Sequence, residues 1–205
     1  MLPDPHQLVQ QITELHVAAV DRWHRSELDN PYTGLLATVC QQHQFNFQLW
    51  HEEDIARSPE VSDTRIAGVK RAIDRFNQQR NDWIEKIDES LLSLLAEAGA
   101  LPRAGARLNT ETPGSATDRL SVMSLRIYHF EEQCARSNVD EQHRASVTER
   151  LARCRLQHAD LSRSLAELLD DIWSGRKLLK VYRQMKMYND PSLNPYLYRA
   201  QRLAG

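Results

Sequence analysis

Glycine and proline are scarce in this chain of 205 residues, seven and eight in number, which argues against a loop-rich or all-β architecture. Cysteine is scarcer. Cys40, Cys134 and Cys154 are odd in number and far apart, which suits neither a disulfide framework nor a zinc knuckle, so they read as reduced core thiols. No apolar run approaches the roughly 20 residues of a membrane span, and Met1–His6 lacks a basic stretch leading into an apolar one, so a cytoplasmic location is expected. Gly-x-Ser-x-Gly is missing. Thr112-Pro113-Gly114-Ser115 holds a single glycine, so there is no phosphate-cradling loop, only a helix start whose free amides could meet an anion.

What the chain does have is charge and helical periodicity. Hydrophobic residues make up 41% and charged residues 26%, a globular balance. Residues 174–205 carry seven bases against one acid, Asp190; that excess of +6 leaves −8 on residues 1–173 of a net −2. Such a basic terminus can dock on its own acidic body, contact phosphate, lie on anionic lipid or reach a partner, with self-docking placed first. Nucleic acid is disfavoured, because the body is acidic and no stacking motif accompanies the bases.

Apolar spacing by threes and fours predicts an all-α compact bundle of about six helices. Helix one spans about Asp4–Trp23, with Pro5 in its first turn, and Asp29-Asn30-Pro31 breaks the chain. Helix two runs from near Thr33 to Arg57 and helix three from about Thr64 to Ala98, capped by Ser62 or Asp63. Residues 99–116 form the longest interruption and the best lid candidate. A Ser115/Asp118 pair, spaced like a capping box, opens helix four, which reaches about Ser137. The long helix five, from Asp140, carries a seam of Val147, Leu151, Cys154, His158, Leu161, Leu165, Leu168 and Ile172. A kink or break near Gly175 leads to a sixth helix through Tyr188, stopped by Asn189-Asp190-Pro191. One domain is expected over 1–190, with an irregular tail over 191–205.

Four long segments then carry a resemblance: NFQLWHEEDIAR at 46–57, IAGVKRAIDRFNQQRNDWIEKID at 66–88, TPGSATDRLSVMSLRIYHFEE at 112–132 and YRQMKMYNDPSLNP at 182–195. In this order, across about residues 40–195, they resemble the bacterial domain of unknown function family numbered 4254. The resemblance implies a helical bacterial protein of this length, with no activity and no catalytic residue to carry over.

The residues themselves nominate a site. In helix two Leu36, Cys40, His43, Phe47, Trp50 and Asp54 share one line, flanked by Asn46 and Arg57; in helix three Arg80 sits within an otherwise apolar stripe, beside a polar row containing Lys70, Asp74 and Asn77. A buried charge is costly unless paired, so such intrusions form a polar network or line a site. Folding the two helices into a hairpin about residue 60 puts His43 near Asn77, Asn46 near Asp74 and Trp50 near Lys70, to within about one turn. Two readings stay open. One is a structural network around Arg80. The other is a pocket in which His43, Asn46, Asp54, Arg57, Lys70, Asp74, Asn77 and Arg80 hold a polar or anionic small molecule, the arginines and Lys70 meeting carboxylate or phosphate. His51/Asp54 and His129/Glu132 are i, i+3 pairs, but their order reverses the Glu-x-x-His of bundle di-metal sites, so no metal ligand is assigned. No motif implies a cofactor or a reaction. The competing class is a noncatalytic module that uses the helix-five seam to form a homo-oligomer, or the basic C-terminal helix to bind a partner.

Overall fold

The computed structural model describes residues 1–185, 187 and 190–204, the last five by backbone alone. Among the described residues there are six helices and no strand: α1 Pro5–Trp23, α2 Gly34–Arg57, α3 Asp63–Glu97, α4 Pro113–Ala135, α5 Glu141–Trp173 and α6 Pro195–Ala204. None of them is long and apolar enough to cross a membrane.

Local chemistry sets the helix starts. Asp4, Ser62, Thr112 and Asp140 each accept a hydrogen bond from the backbone amide three residues on, satisfying donors that have no intrahelical partner. The α4 cap is therefore Thr112, with Pro113 in the first turn. The Ser115/Asp118 capping box is not formed, and Asp118 turns inward instead.

Antiparallel pairs α2/α3 and α4/α5 pack together through α2/α4 and α3/α4 contacts, and α1 lies against α2, α4 and α5. The expected apolar face of α1 (Leu8, Ile12, Leu15, Ala19, Trp23) joins Cys40 and Phe47 of α2, Leu120 and Leu125 of α4 and Leu165 and Leu169 of α5 in the main core. Fully burying each of the Leu, Ile and Phe side chains among these stabilises the fold by about 1.5–3 kcal/mol. The α5 seam is spent inside the chain: Leu165 in this core, Leu168 and Ile172 in a second cluster with Leu95, and Val147, Leu151 and Cys154 likewise buried. It is not a free surface for oligomerisation.

Beyond α5 the chain departs from the helical expectation. Gly175, at φ +72°, ends the helix, as the expected break requires. No helix follows at once, however, and the described residues from 178 to 185 are irregular. Leu178 N–H donates to the Arg107 carbonyl (2.9 Å), Arg103 N–H donates to the Gly175 carbonyl (2.9 Å), and Leu179 packs on Leu95, Leu168 and Ile172. Those contacts hold the chain extended against the 99–112 connection. The same contacts fasten that connection down, so the lid candidate is a strapped segment. Tyr188 and Asn189, part of the expected sixth helix and its stop, lie outside the described residues, whereas Pro195–Ala204, expected to be irregular, is α6. The basic segment docks on its own chain, as expected: Arg176 pairs with Asp170 and Asp171 (both 2.6 Å), and Arg183 with Glu85 (2.9 Å) and Glu89 (2.5 Å).

Candidate functional site: a polar knot beside a cleft

α2 is central, touched by α1, α3 and α4, so side chains on most of its circumference are buried. Gln42, His43 and Asn46 are therefore buried polar groups that need partners. They find them on α4. The carboxylate of Asp118 accepts from Gln42 Nε2 (2.6 Å), Asn46 Nδ2 (2.9 Å), Arg80 Nε (2.7 Å) and Arg80 Nη2. Arg80 thus reaches across from α3 in a two-pronged pair, the geometry that best matches guanidinium to carboxylate.

A second branch runs toward α1. His43 Nε2 lies 3.1 Å from the His16 backbone carbonyl, which can only accept, so Nε2 carries the proton. Burial pushes the His43 pKa down to about 3, so the ring is neutral and its Nδ1 accepts from the Ser121 hydroxyl at 2.6 Å. Ser121 Oγ in turn accepts from Asn46 Nδ2 at 2.8 Å. A serine–histidine contact of this length is what an activated nucleophile uses. Here both side chains have no exposed surface, so the pair ties helices together and meets no substrate. His16, its ring tilted at 45° to His43 with 4.6 Å between ring centres, is also fully buried, and neither of its ring nitrogens has a hydrogen-bond partner. Burial, then His43 and His158, hold its pKa well below the usual value.

Above this knot opens a cleft of about 360 Å³ between α2, α3 and α4. α2 contributes Asn46, Leu49, Trp50, Glu53, Asp54 and Arg57, α3 contributes Asn77 and Arg80, and α4 contributes Val122 and Leu125. Five of the eight nominated residues, Asn46, Asp54, Arg57, Asn77 and Arg80, line it together. Three do not. His43 sits deeper, bonded to Ser121 and His16, while Lys70 and Asp74 pair with each other at 2.7 Å on the exposed face of α3. The hairpin register is close to expectation, since the Phe45 and Phe76 rings lie 6.4 Å apart and Leu49 packs with Val69 and Ile73. The polar partners of α2, however, come mostly from α4.

A second cleft of about 690 Å³ lies on the other side of Arg80 and Val122, with Arg119, Arg126, Asp160 and Ser164 on its walls. At the outer end of the first cleft the Trp50 ring stacks on His129 (4.8 Å between centres), within a cluster where His24, His51 and His129 lie 5.3–6.2 Å apart. His129 Nδ1 meets Glu132 at 2.7 Å, as its i, i+3 spacing allows. Among the described residues no three His, Cys, Asp or Glu side chains are grouped so as to hold a metal ion. The cysteines are free; Cys40 and Cys154 are buried, and burial pushes the Cys40 thiol up to about 12, far from a reactive thiolate.

Residues 36–181 match the model of a family described as protein of unknown function, DUF4254. The chain belongs to that family. The match covers the first three of the four resembling segments and ends just before the fourth. Neither the curated proteins nor the solved structures provide a match to this DUF4254 member.

Asp118 and Ser121, the acceptors at the centre of the knot, were not nominated from sequence. A signal was available: Asp118, Ser121 and Leu125 follow three-four spacing, which places two polar residues on the stripe that faces α2.

Proposed function

We propose that this DUF4254 protein binds a small polar organic molecule in the cleft between α2, α3 and α4. The observation that carries the reading is the cleft's construction. An apolar floor of Leu49, Trp50, Val122 and Leu125 meets a few polar groups, Asn46, Asn77, Asp54 and Arg80, of which Asn46 and Arg80 are held in place by Asp118. Apolar walls with a few fixed polar groups are the usual make-up of a small-molecule site, and about 360 Å³ falls at the small end of the range for such sites. The side-on pairing of Arg80 uses Nε and Nη2, so Nη1 is left to donate to an acceptor on the ligand. The proposal is binding alone. We place the protein in the cytoplasm, a reading its three free thiols support.

The test is thermal stabilisation by a panel of small organic amines, acids and amides, repeated on Val122→Trp. The larger ring occupies the cleft from its α4 wall. A compound that raises the wild-type melting temperature and loses that effect in Val122→Trp, with the unliganded melting temperature retained, supports the reading. Stabilisation that persists undiminished in Val122→Trp refutes it.

A further inference from the structure

We infer that the cleft takes an organic cation: an ammonium or amidinium group carried on an apolar body. This rests on the binding reading above and adds the sign of the ligand's charge, in place of the polar or anionic molecule that the arginines and Lys70 imply by sequence alone.

The cations of the cleft are already answered. Arg80 is neutralised by Asp118 through two hydrogen bonds. Arg57 is held by the Glu53 carboxylate (2.7 Å) and also donates to the Glu53 backbone carbonyl (2.6 Å). Lys70, which the sequence placed beside Trp50, is on the outer face of α3 with Asp74. An incoming anion would have to compete with carboxylates fixed in the fold, at the effective concentrations of groups on one chain.

The anions are not all answered. Asp54 makes no hydrogen bond or ion pair with any described residue, and it stands on the cleft wall one turn beyond Trp50. Counting Glu53, Asp54, Arg57 and Arg80 with Asp118 behind them, the site carries one net negative charge, and that charge is Asp54's. The chain as a whole has the same sign, a net −2 with its basic terminal segment docked, so its field does not oppose an incoming cation. An ammonium at Asp54 would let its apolar body lie on Trp50, Leu49, Val122 and Leu125, while any acceptor on that body meets Arg80 Nη1.

The experiment uses the full chain and matched probes with a common ring: tryptamine against indole-3-propionate, and phenethylamine against 3-phenylpropionate, with the alcohol tryptophol as the uncharged control. Binding is read from the side-chain amide NMR signals of Asn46 and Asn77, and a charge-removing variant, Asp54→Asn, alters only an exposed surface position. The expected result is that the amines move both amide signals and the acids do not. Asp54→Asn then weakens the amines roughly two- to fivefold, the range for an exposed ion pair, and leaves tryptophol unchanged. Acids or alcohols that shift these signals as well as the amines, or amine affinity unchanged in Asp54→Asn, would overturn the cation inference while sparing the cleft. If no probe moves the two amides, the inference falls together with the binding reading.

Discussion

The Arg80 guanidinium lies side-on to the Asp118 carboxylate, joining α3 to α4 at the point where α2 supplies Gln42 and Asn46 to the same acceptor. Asp118 is 4% exposed, so removing its cation leaves a buried carboxylate with two amide donors only. A fully buried pair costs about 3–5 kcal/mol to break; because the Arg80 side chain is 30% exposed, water recovers part of that, and Arg80→Met is expected to cost about 2–3 kcal/mol. The double variant Arg80→Met/Asp118→Leu should be less destabilised than the sum of its singles, read from urea midpoints. Simple additivity would mean that the two residues are not coupled. Because Arg80 holds the fold, variants at Asp54 and Val122 are the cleaner probes of the cleft.

Acid should unfold this protein through its buried histidines. His43 is pushed down to about 3 by burial and His16 well below its usual value, so between about pH 6.5 and 3 the unfolded chain takes up protons that the folded chain refuses. Stability is then complete above pH 6.5 and falls as pH drops toward 3. Since neither ring nitrogen of His16 has a hydrogen-bond partner, His16→Leu should stabilise the protein at pH 7 by about 1–3 kcal/mol and flatten the acid limb. The His43 bond to the His16 carbonyl survives in that variant, being to backbone. A destabilised His16→Leu with the acid limb intact would contradict this.

Asp88 acts with the opposite sign. It is 2% exposed, accepts the Gly114 N–H at 2.7 Å, and burial lifts its pKa to about 6 against the pull of Thr112 and Gly114. Between about pH 4 and 6 the folded state keeps a proton the unfolded state has lost, so this group's contribution declines as pH rises through that window and is constant above it. Wild-type stability in the window is therefore a difference between a histidine term rising with pH and an aspartate term falling with it. Asp88→Asn keeps an acceptor for Gly114 and removes the second term; stability should rise more steeply between pH 4 and 6 than in wild type. Parallel pH profiles for the two proteins would rule this out.

Legibility differed from place to place for physical reasons. α1 to α5 were readable because their apolar stripes and caps are local, and Arg80 stood out because a charge in an apolar stripe demands a partner. The partner itself was hidden: Asp118 sits three residues after Ser115, where it imitates a capping box, while the real cap is Thr112. Lys70 and Asp74 shared a face with Asn77 by angle alone, but their i, i+4 pairing satisfies both at the surface. The stretch after Gly175 has helical spacing in Leu178, Val181, Tyr182 and Met185, yet hydrogen bonds to residues 103 and 107, far away in sequence, override it. No local pattern announces such a strap.

Two glycines mark where that long-range geometry is tightest. A Cβ on Gly114 would sit 2.5 Å from the Ile84 carbonyl oxygen and 3.0 Å from the Asp88 carboxylate, so α4 can dock its first turn on α3 only without a side chain there. Gly114→Ala must push backbone from backbone, at an expected cost of about 1–3 kcal/mol. Gly175 combines two obstacles: φ is +72°, and a Cβ would lie 2.7 Å from the Leu101 carbonyl oxygen. Gly175→Ala should therefore release the strap. The Arg103 N–H donates to the Gly175 carbonyl and the Leu178 N–H to that of Arg107, so amide exchange at 103 and 178 reports the strap directly. The expected result is faster exchange at both sites in Gly175→Ala, with the Gly114 amide, held by Asp88 at the start of α4, unchanged. Equal protection in variant and wild type would show that the strap does not depend on the left-handed turn that ends α5.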